Sequence, residues 1–327
     1  MPLSYLPLSP YRVSRMLGSL LMALSATMLS GLGVAWWDGD ARATLAFASS
    51  SAVTFAVGGA FFALGRRARG GISRRDAMLV VGLGWILAGL FGGLPYLLDG
   101  SFTSVSDAFF ETVSGFTTTG ASVMTDIEGT TSRAGLLWRA MTHWLGGMGI
   151  IVLFVAVFPQ LGVGAKYLFE NEVPGPISED LTPKIKETSK ILWYIYACIT
   201  AADILALWLI AEMSLFDAVC HAFATMATGG FSTRNASIGA YYDTPSVDVI
   251  TIGFMFLAGV NFSLFYVALL QRNVRRALAD RELWTYFAII VIATLVIAAA
   301  LFAAATPSDE HDYTSPLSAL RDSAFQV

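Results

Sequence analysis

The sequence predicts an all-α integral membrane protein in which one unit recurs: a span, a short helix, a polar loop and a second span. Three observations predict it. Of 327 residues, 55% are hydrophobic and only 13% charged, with a mean hydropathy of +0.63. A soluble domain carries about 25% charged residues. Seven apolar stretches reach the ~20 residues a helix needs to cross a hydrocarbon core. Two polar Gly/Thr stretches interrupt this pattern at matching places, GFTTTGAS at 115–122 and ATGGFST at 227–233.

The spans are expected near 16–37, 44–64, 77–98, 134–158, 189–211, 247–270 and 284–305. The first has a rival reading as a signal peptide, with Arg12 and Arg15 before it and Ala41-Arg42-Ala43 resembling a cleavage site. Its apolar run exceeds the roughly 7–15 residues of a signal core, and Trp36-Trp37 suits a membrane interface. A retained span is therefore the expectation. Segments 102–116 and 213–226 are too short to cross. Each is apolar and precedes a Gly/Thr stretch, so both read as re-entrant pore helices rather than surface helices.

Aligning Asp107 with Asp217 places Gly120 on Gly230, each glycine 13 residues after its aspartate. The chain then divides into two N-terminal spans (1–75), a first pore repeat with its loop (76–186), a second (187–281) and the start of a third (282–327). In LRDSAFQV, Asp322 matches Asp107 and Asp217, and the sequence is expected to be truncated within that third copy. Of the 20 basic residues, 15 fall in the N-terminal segment and the loops after the second, fourth and sixth spans. The positive-inside rule puts that side in the cytoplasm and both Gly/Thr stretches at the outer face.

A short helix followed by extended backbone is how an ion filter is built, because carbonyl oxygens can replace an ion's water shell. Glycine allows backbone angles that turn carbonyls inward, and threonine adds a hydroxyl on a stiff side chain. The expected cation ligands are Thr117, Thr118, Thr119 and Gly120 in the first copy, and Ala227, Thr228, Gly229 and Gly230 in the second. The carboxyl ends of the pore helices carry partial negative charge towards the cavity and favour a cation there.

Other residues carry two readings each. Asp107 and Asp217 are helix caps or dipole partners, or a ring of charge at the mouth. Glu111, with His221 at the matching position, bonds nearby backbone or faces the outer vestibule. His143 is read as a packed span residue, since no partner has metal spacing to it. Gly146, Gly147 and Gly149 allow close helix packing or a gating bend. Asn261, expected mid-span, bonds across helices or faces the ion path. Asp203, an acid within an apolar span, should pair or line water, and Arg139 is a candidate partner. The cysteines Cys198 and Cys220 suggest neither a disulfide nor a metal site.

SGFTTTGAS (114–122), HWLGGMGIIV (143–152), EVPGP (172–176), LTPKIKETSKILWYIY (181–196) and ATMATGGFST (224–233) closely resemble the Trk/Ktr/HKT superfamily of cation transporters, and within it the bacterial TrkH/TrkG branch. The resemblance covers nearly the whole chain. It implies a potassium-channel-like fold of four repeats around one pore, each giving one filter glycine, here Gly120 and Gly230. It also implies potassium bound by the backbone of Thr118, Thr119, Ala227 and Thr228, no organic cofactor, and a gating loop in a third-repeat inner helix. The partners it implies are a second copy in a homodimer and a cytoplasmic, nucleotide-sensing TrkA-type regulatory ring.

The expected function is potassium uptake across the bacterial cytoplasmic membrane, with the lipid bilayer as surroundings and no nucleic-acid partner. A secondary transporter of another small solute is the alternative, but its repeats are more often inverted, and these two run the same way. Membrane-embedded enzyme chemistry needs converging acid, base or metal groups, which three scattered histidines do not supply.

Overall fold

A computed structural model describes residues 9–67, 73–149, 185–304 and 315–327, and every regular element among them is helical. Helices α1 (Pro10–Trp37) and α2 (Ala41–Leu64) form a hairpin. Its tight turn uses Gly39 at φ 69° and the Asp40 side chain, which accepts the Ala43 N–H at 2.9 Å. Leu17, Leu20, Leu21, Leu24 and Met28 of α1 are buried, most of them in a core with Phe47, Phe116 and Trp138. The first helix therefore packs as a span does.

Helix α3 (Arg74–Gly92) opens with a capping box between Ser73 and Asp76. Asp76 also accepts from Ser9 N at 2.8 Å and pairs with Arg12 at 2.9 Å, tying the start of α1 to the start of α3. The expected third span breaks at Gly93, and α4 (Leu94–Asp99) completes it. Pro95 lacks the N–H that would bond the Phe91 carbonyl, and the Gly92 carbonyl accepts the Trp138 indole N–H at 2.9 Å.

Two similar units come next. The first has α5 (Val105–Phe116), a turn at α6 (Ile127–Thr130) and α7 (Arg133–Gly147). The second has α8 (Ile185–Leu209), α9 (Leu215–Met226) and α10 (Pro245–Gly259). After α10 come α11 (Phe262–Phe265), a π turn over Tyr266–Leu270, α12 (Val274–Leu278), α13 (Arg281–Ala304) and α14 (Pro316–Gln326). Five of the described helices are long and apolar enough to cross a membrane, or six when one bent pair counts as one span. Helices α5 and α9 have 12 residues each, about 18 Å at 1.5 Å per residue, and cannot cross.

One expected span is corrected, and another is described only in part. The sixth, 247–270, is not one helix: α10 and the helix after Asn261 meet at a 93° bend. Asn261 is thus not mid-span. Its side chain accepts the Ser263 N–H at 3.0 Å, offering the backbone a local alternative to continuing the helix. Its amide also reaches Glu282 Oε2 on α13 at 3.3 Å, the bond across helices that was one of its two readings. In the fourth, 134–158, α7 ends at Gly147, and Gly149 has φ 66°. Residues 150–158, Lys166, Lys184 and EVPGP lie outside the described residues. Helices α7 and α10 therefore match: both have 15 residues and both stop at a glycine.

Helix α14 succeeds α13 as a further short helix, but its register differs. Asp107 and Asp217 lie three residues after their N-caps, Ser104 and Ser214, whereas Asp322 lies seven after Ser315. Pro316 at the first helical position and the Ser315 side chain, which accepts the Leu317 N–H, start α14 a turn earlier.

Candidate functional site

The two Gly/Thr strands leave their helices in the same way. Thr118 N–H donates to the Gly115 carbonyl at 3.0 Å and Thr119 N–H to Ser114 at 2.9 Å. Thr228 N–H donates to Thr225 at 3.0 Å and Gly229 N–H to Ala224 at 2.9 Å. Thr118 and Thr228 both have φ 54°, and Gly120 and Gly230 have φ 74° and 93°. A β-branched residue in the left-handed region is uncommon and costs about 1–2 kcal/mol. Its recurrence 11 residues after each aspartate marks a built turn.

The strands meet. A Cβ on Gly120 would strike the carbonyl oxygen of Gly229, and it would lie 3.8 Å from the Gly230 Cα. A Cβ on Gly230 would meet nothing within 4 Å. Thr117, which caps α5, is exposed, and its hydroxyl donates to the Val113 carbonyl and shares a 2.7 Å bond with Thr119. Ala227 caps α9 and is buried. Beside the second strand lies a cavity of about 440 Å³ whose walls include Thr228, Gly229, Gly230, Thr251 and Met255.

Behind the strands sits a buried ion pair. Arg139 of α7 lies 2.8 Å from Glu111 of α5, and both side chains are essentially inaccessible. Glu111 also accepts from the Ser122 hydroxyl and from Val123 N–H at 3.1 Å, so its backbone bond is as expected and its exposure to a vestibule is not. Arg139 donates further to Ser122 Oγ at 3.2 Å and to the Ser232 carbonyl at 3.0 Å. At the matching position His221 bonds the Asp217 carbonyl and the Ser232 hydroxyl, at 2.8 and 2.9 Å. Each copy thus ties the residue four after its aspartate to the serine fifteen after it.

Asp203 is corrected accordingly. Arg139 is committed to Glu111, and both Asp203 carboxylate oxygens are buried without a hydrogen-bond partner among the described residues. The Arg139–Glu111 pair was legible in principle, since a cation within an apolar span needs an acid. Glu111 of α5 supplies it.

Asp217 accepts from Ser214, Thr233 (2.6 Å) and Arg234 (2.8 Å) in the first turn of α9, which fits the dipole reading rather than an open ring of charge, while Ser214 is the cap. Asp107 has a 3.4 Å contact from Ser106. His143 is packed, as expected, stacked on Phe231 with centroids 4.0 Å apart. Gly146 and Gly147 serve close packing: a Cβ on the first would strike the Phe116 carbonyl, and one on the second would lie 2.7 Å from the Ala227 Cα. Helix α7 thereby touches the roots of both strands. Among the described residues no cluster of three His, Cys, Asp or Glu could hold a metal.

Residues 44–306 match the family described as TrkH, cation transport protein. The Trk system potassium uptake protein TrkH of Halomonas elongata is 40% identical over 317 residues, 96% of this chain and 64% of that protein. TrkH of Escherichia coli K12 is 40% identical over 293 residues, 87% of this chain and 59% of that one. TrkG of the same organism is 34% identical over 287 residues, 87% and 58% of the two chains. The crystal structure of the potassium transporter TrkH from Vibrio parahaemolyticus superposes with a TM-score of 0.80 at 36% identity, over 98% of this chain and 64% of that one. The chain spans about 64% of the length of such relatives.

Proposed function

From the premise that the chain belongs to the TrkH family of cation transport proteins, we propose that it forms part of a potassium-uptake pore whose filter includes its two Gly/Thr strands. The observation that carries this reading is the shared backbone turn at Thr118/Gly120 and Thr228/Gly230, with the two strands in contact. Left-handed residues on either side of Thr119 and of Gly229, which are not themselves left-handed, reorient successive carbonyls, as a site that replaces an ion's hydration shell needs. Potassium is the transported ion. Thr117, Thr118, Thr119, Gly120, Ala227, Thr228, Gly229 and Gly230 are its candidate neighbours.

The repeats run over 76–186 and 187–281, with 1–75 outside them and 282–327 opening a third. Helices α5 and α9 end at the strands, so their carboxyl-terminal dipoles favour a cation there. The strands face outward in the bacterial inner membrane and the arginine-rich loops face the cytoplasm. The cytoplasmic face is where a TrkA-type nucleotide-binding subunit docks, and a second copy completes a homodimer.

The test is rubidium uptake by the full-length protein, in cells lacking other potassium transport, with sodium as competitor. Gly120→Ser should weaken the preference for rubidium over sodium. An unchanged preference in a normally inserted protein would remove Gly120 from the filter.

A further inference from the structure

The two strands diverge beyond the filter glycine. After Gly120 come Ala121, Ser122 and Val123, all exposed, whereas after Gly230 come Phe231, Ser232 and Thr233, all buried. Phe231 is 4% exposed and lies against α7, a helix of the other repeat. Two α7 side chains one turn apart hold it. The Arg139 guanidinium sits 4.0 Å from its ring centroid, and the His143 ring stacks on it with 13° between planes. Arg139 is fixed by Glu111 and anchors the next residue through the Ser232 carbonyl. Neither His143 nitrogen has a hydrogen-bond partner, so within the described residues its ring serves as a packing surface. That ring also lies where any side chain at position 229 would go.

We propose that Phe231 is a positioning residue through which the first repeat sets the place of the second filter strand, with Arg139 and His143 holding it. This rests on the reading of 227–230 as part of an ion path. Phe231 touches no ion. It fixes the strand from behind, so its loss should change how well ions are bound and told apart more than how much protein folds. A cation over an aromatic face in a dry site, joined to a charge-assisted bond to the adjacent carbonyl, restrains both direction and depth of the strand.

The test uses full-length protein and three variants: Phe231→Leu, the charge-neutral pair Glu111→Gln with Arg139→Gln, and all three changes together. Rubidium uptake is measured for half-saturation, maximum rate at matched protein amounts and inhibition by sodium. Phe231→Leu and the charge-neutral pair should each raise the half-saturation concentration at least about threefold and strengthen sodium inhibition, and the triple variant should be no worse than the weaker-binding of them, because groups acting through one contact are not additive. Should Phe231→Leu fail to reach the membrane, Phe231→Met replaces it.

Unchanged half-saturation and sodium inhibition in folded Phe231→Leu overturns the proposal. So does a triple variant whose defect is the product of the separate ones. Gly120→Ser, run alongside, separates the levels. If it alters ion preference while Phe231→Leu does not, only the positioning role falls, and if it changes nothing, the pore reading itself falls.

Discussion

The first Gly/Thr strand is held by its own repeat, and the second is held by its own and its neighbour's together. Ser114 of α5 donates to the Ala121 carbonyl at 2.6 Å, and Glu111 of α5 holds Ser122 and Val123. The second strand keeps two ties of that kind, His221 to Ser232 and Thr233 to Asp217, and gains the Arg139 and His143 contacts from α7. At the outer edge the dependence recurs. Asn235 bonds Ile127 N–H and Asp126, and Arg234 pairs with Glu128 as well as with Asp217. Repeats that look equivalent in sequence are therefore not equivalent mechanically: the first is a platform on which the second is registered.

The largest expected effect comes from breaking the shared anchor. Arg139→Gln alone leaves Glu111 buried without its partner and should cost about 3–5 kcal/mol, seen as a lowered unfolding temperature of purified full-length protein. Adding Glu111→Gln should recover most of it, since two neutral amides can bond each other. No recovery would mean that Arg139 acts mainly through Ser232 and Phe231.

The next comparison sets Gly120 against Gly230. A side chain at 120 meets both a positive φ and the Gly229 carbonyl, so Gly120→Ser should lower rubidium uptake by about tenfold or more, the scale of the 1–3 kcal/mol that a strained backbone position can cost. A side chain at 230 meets the φ penalty in open space, so Gly230→Ser should be milder. Equal losses would contradict the asymmetry.

The smallest effect belongs to the outer edge. Arg234→Ala removes two partly exposed pairs and should cost about 0.2–1 kcal/mol for each, less at high salt. Its pH dependence comes from two carboxylates. Burial alone would raise Asp217, but the bonds from Thr233, Ser214 and Arg234 hold it below its ordinary value of 3.8. The Asn235 amide and the Gly129 N–H hold Asp126 low as well. Groups depressed in the folded state stabilise it fully above their ordinary value and lose that contribution as pH falls through the folded one. The edge should thus stay closed at neutral pH and loosen only below about pH 4, read as hydrogen-exchange protection around 126–128 and 233–235.

Much of this was legible in sequence. Apolar length gives the spans, and the common spacing from Asp107 and Asp217 gives two helices and turns that agree to the same hydrogen bonds. The breaks were less legible. Hydropathy runs straight through Gly259 and Asn261, because a bent apolar segment is as apolar as a straight one. The Arg139 partner was missed because sequence separation does not report which acid faces a helix. Phe231 was read as one letter of a motif, since its importance lies in a contact with the other repeat.

The most direct measurement is the anomalous scattering of rubidium bound to the full-length protein in a crystal. The expected result is a peak coordinated by backbone carbonyls of both strands, among Thr118, Thr119, Ala227 and Thr228. Rubidium bound only elsewhere, with these carbonyls turned away from every site, would contradict it.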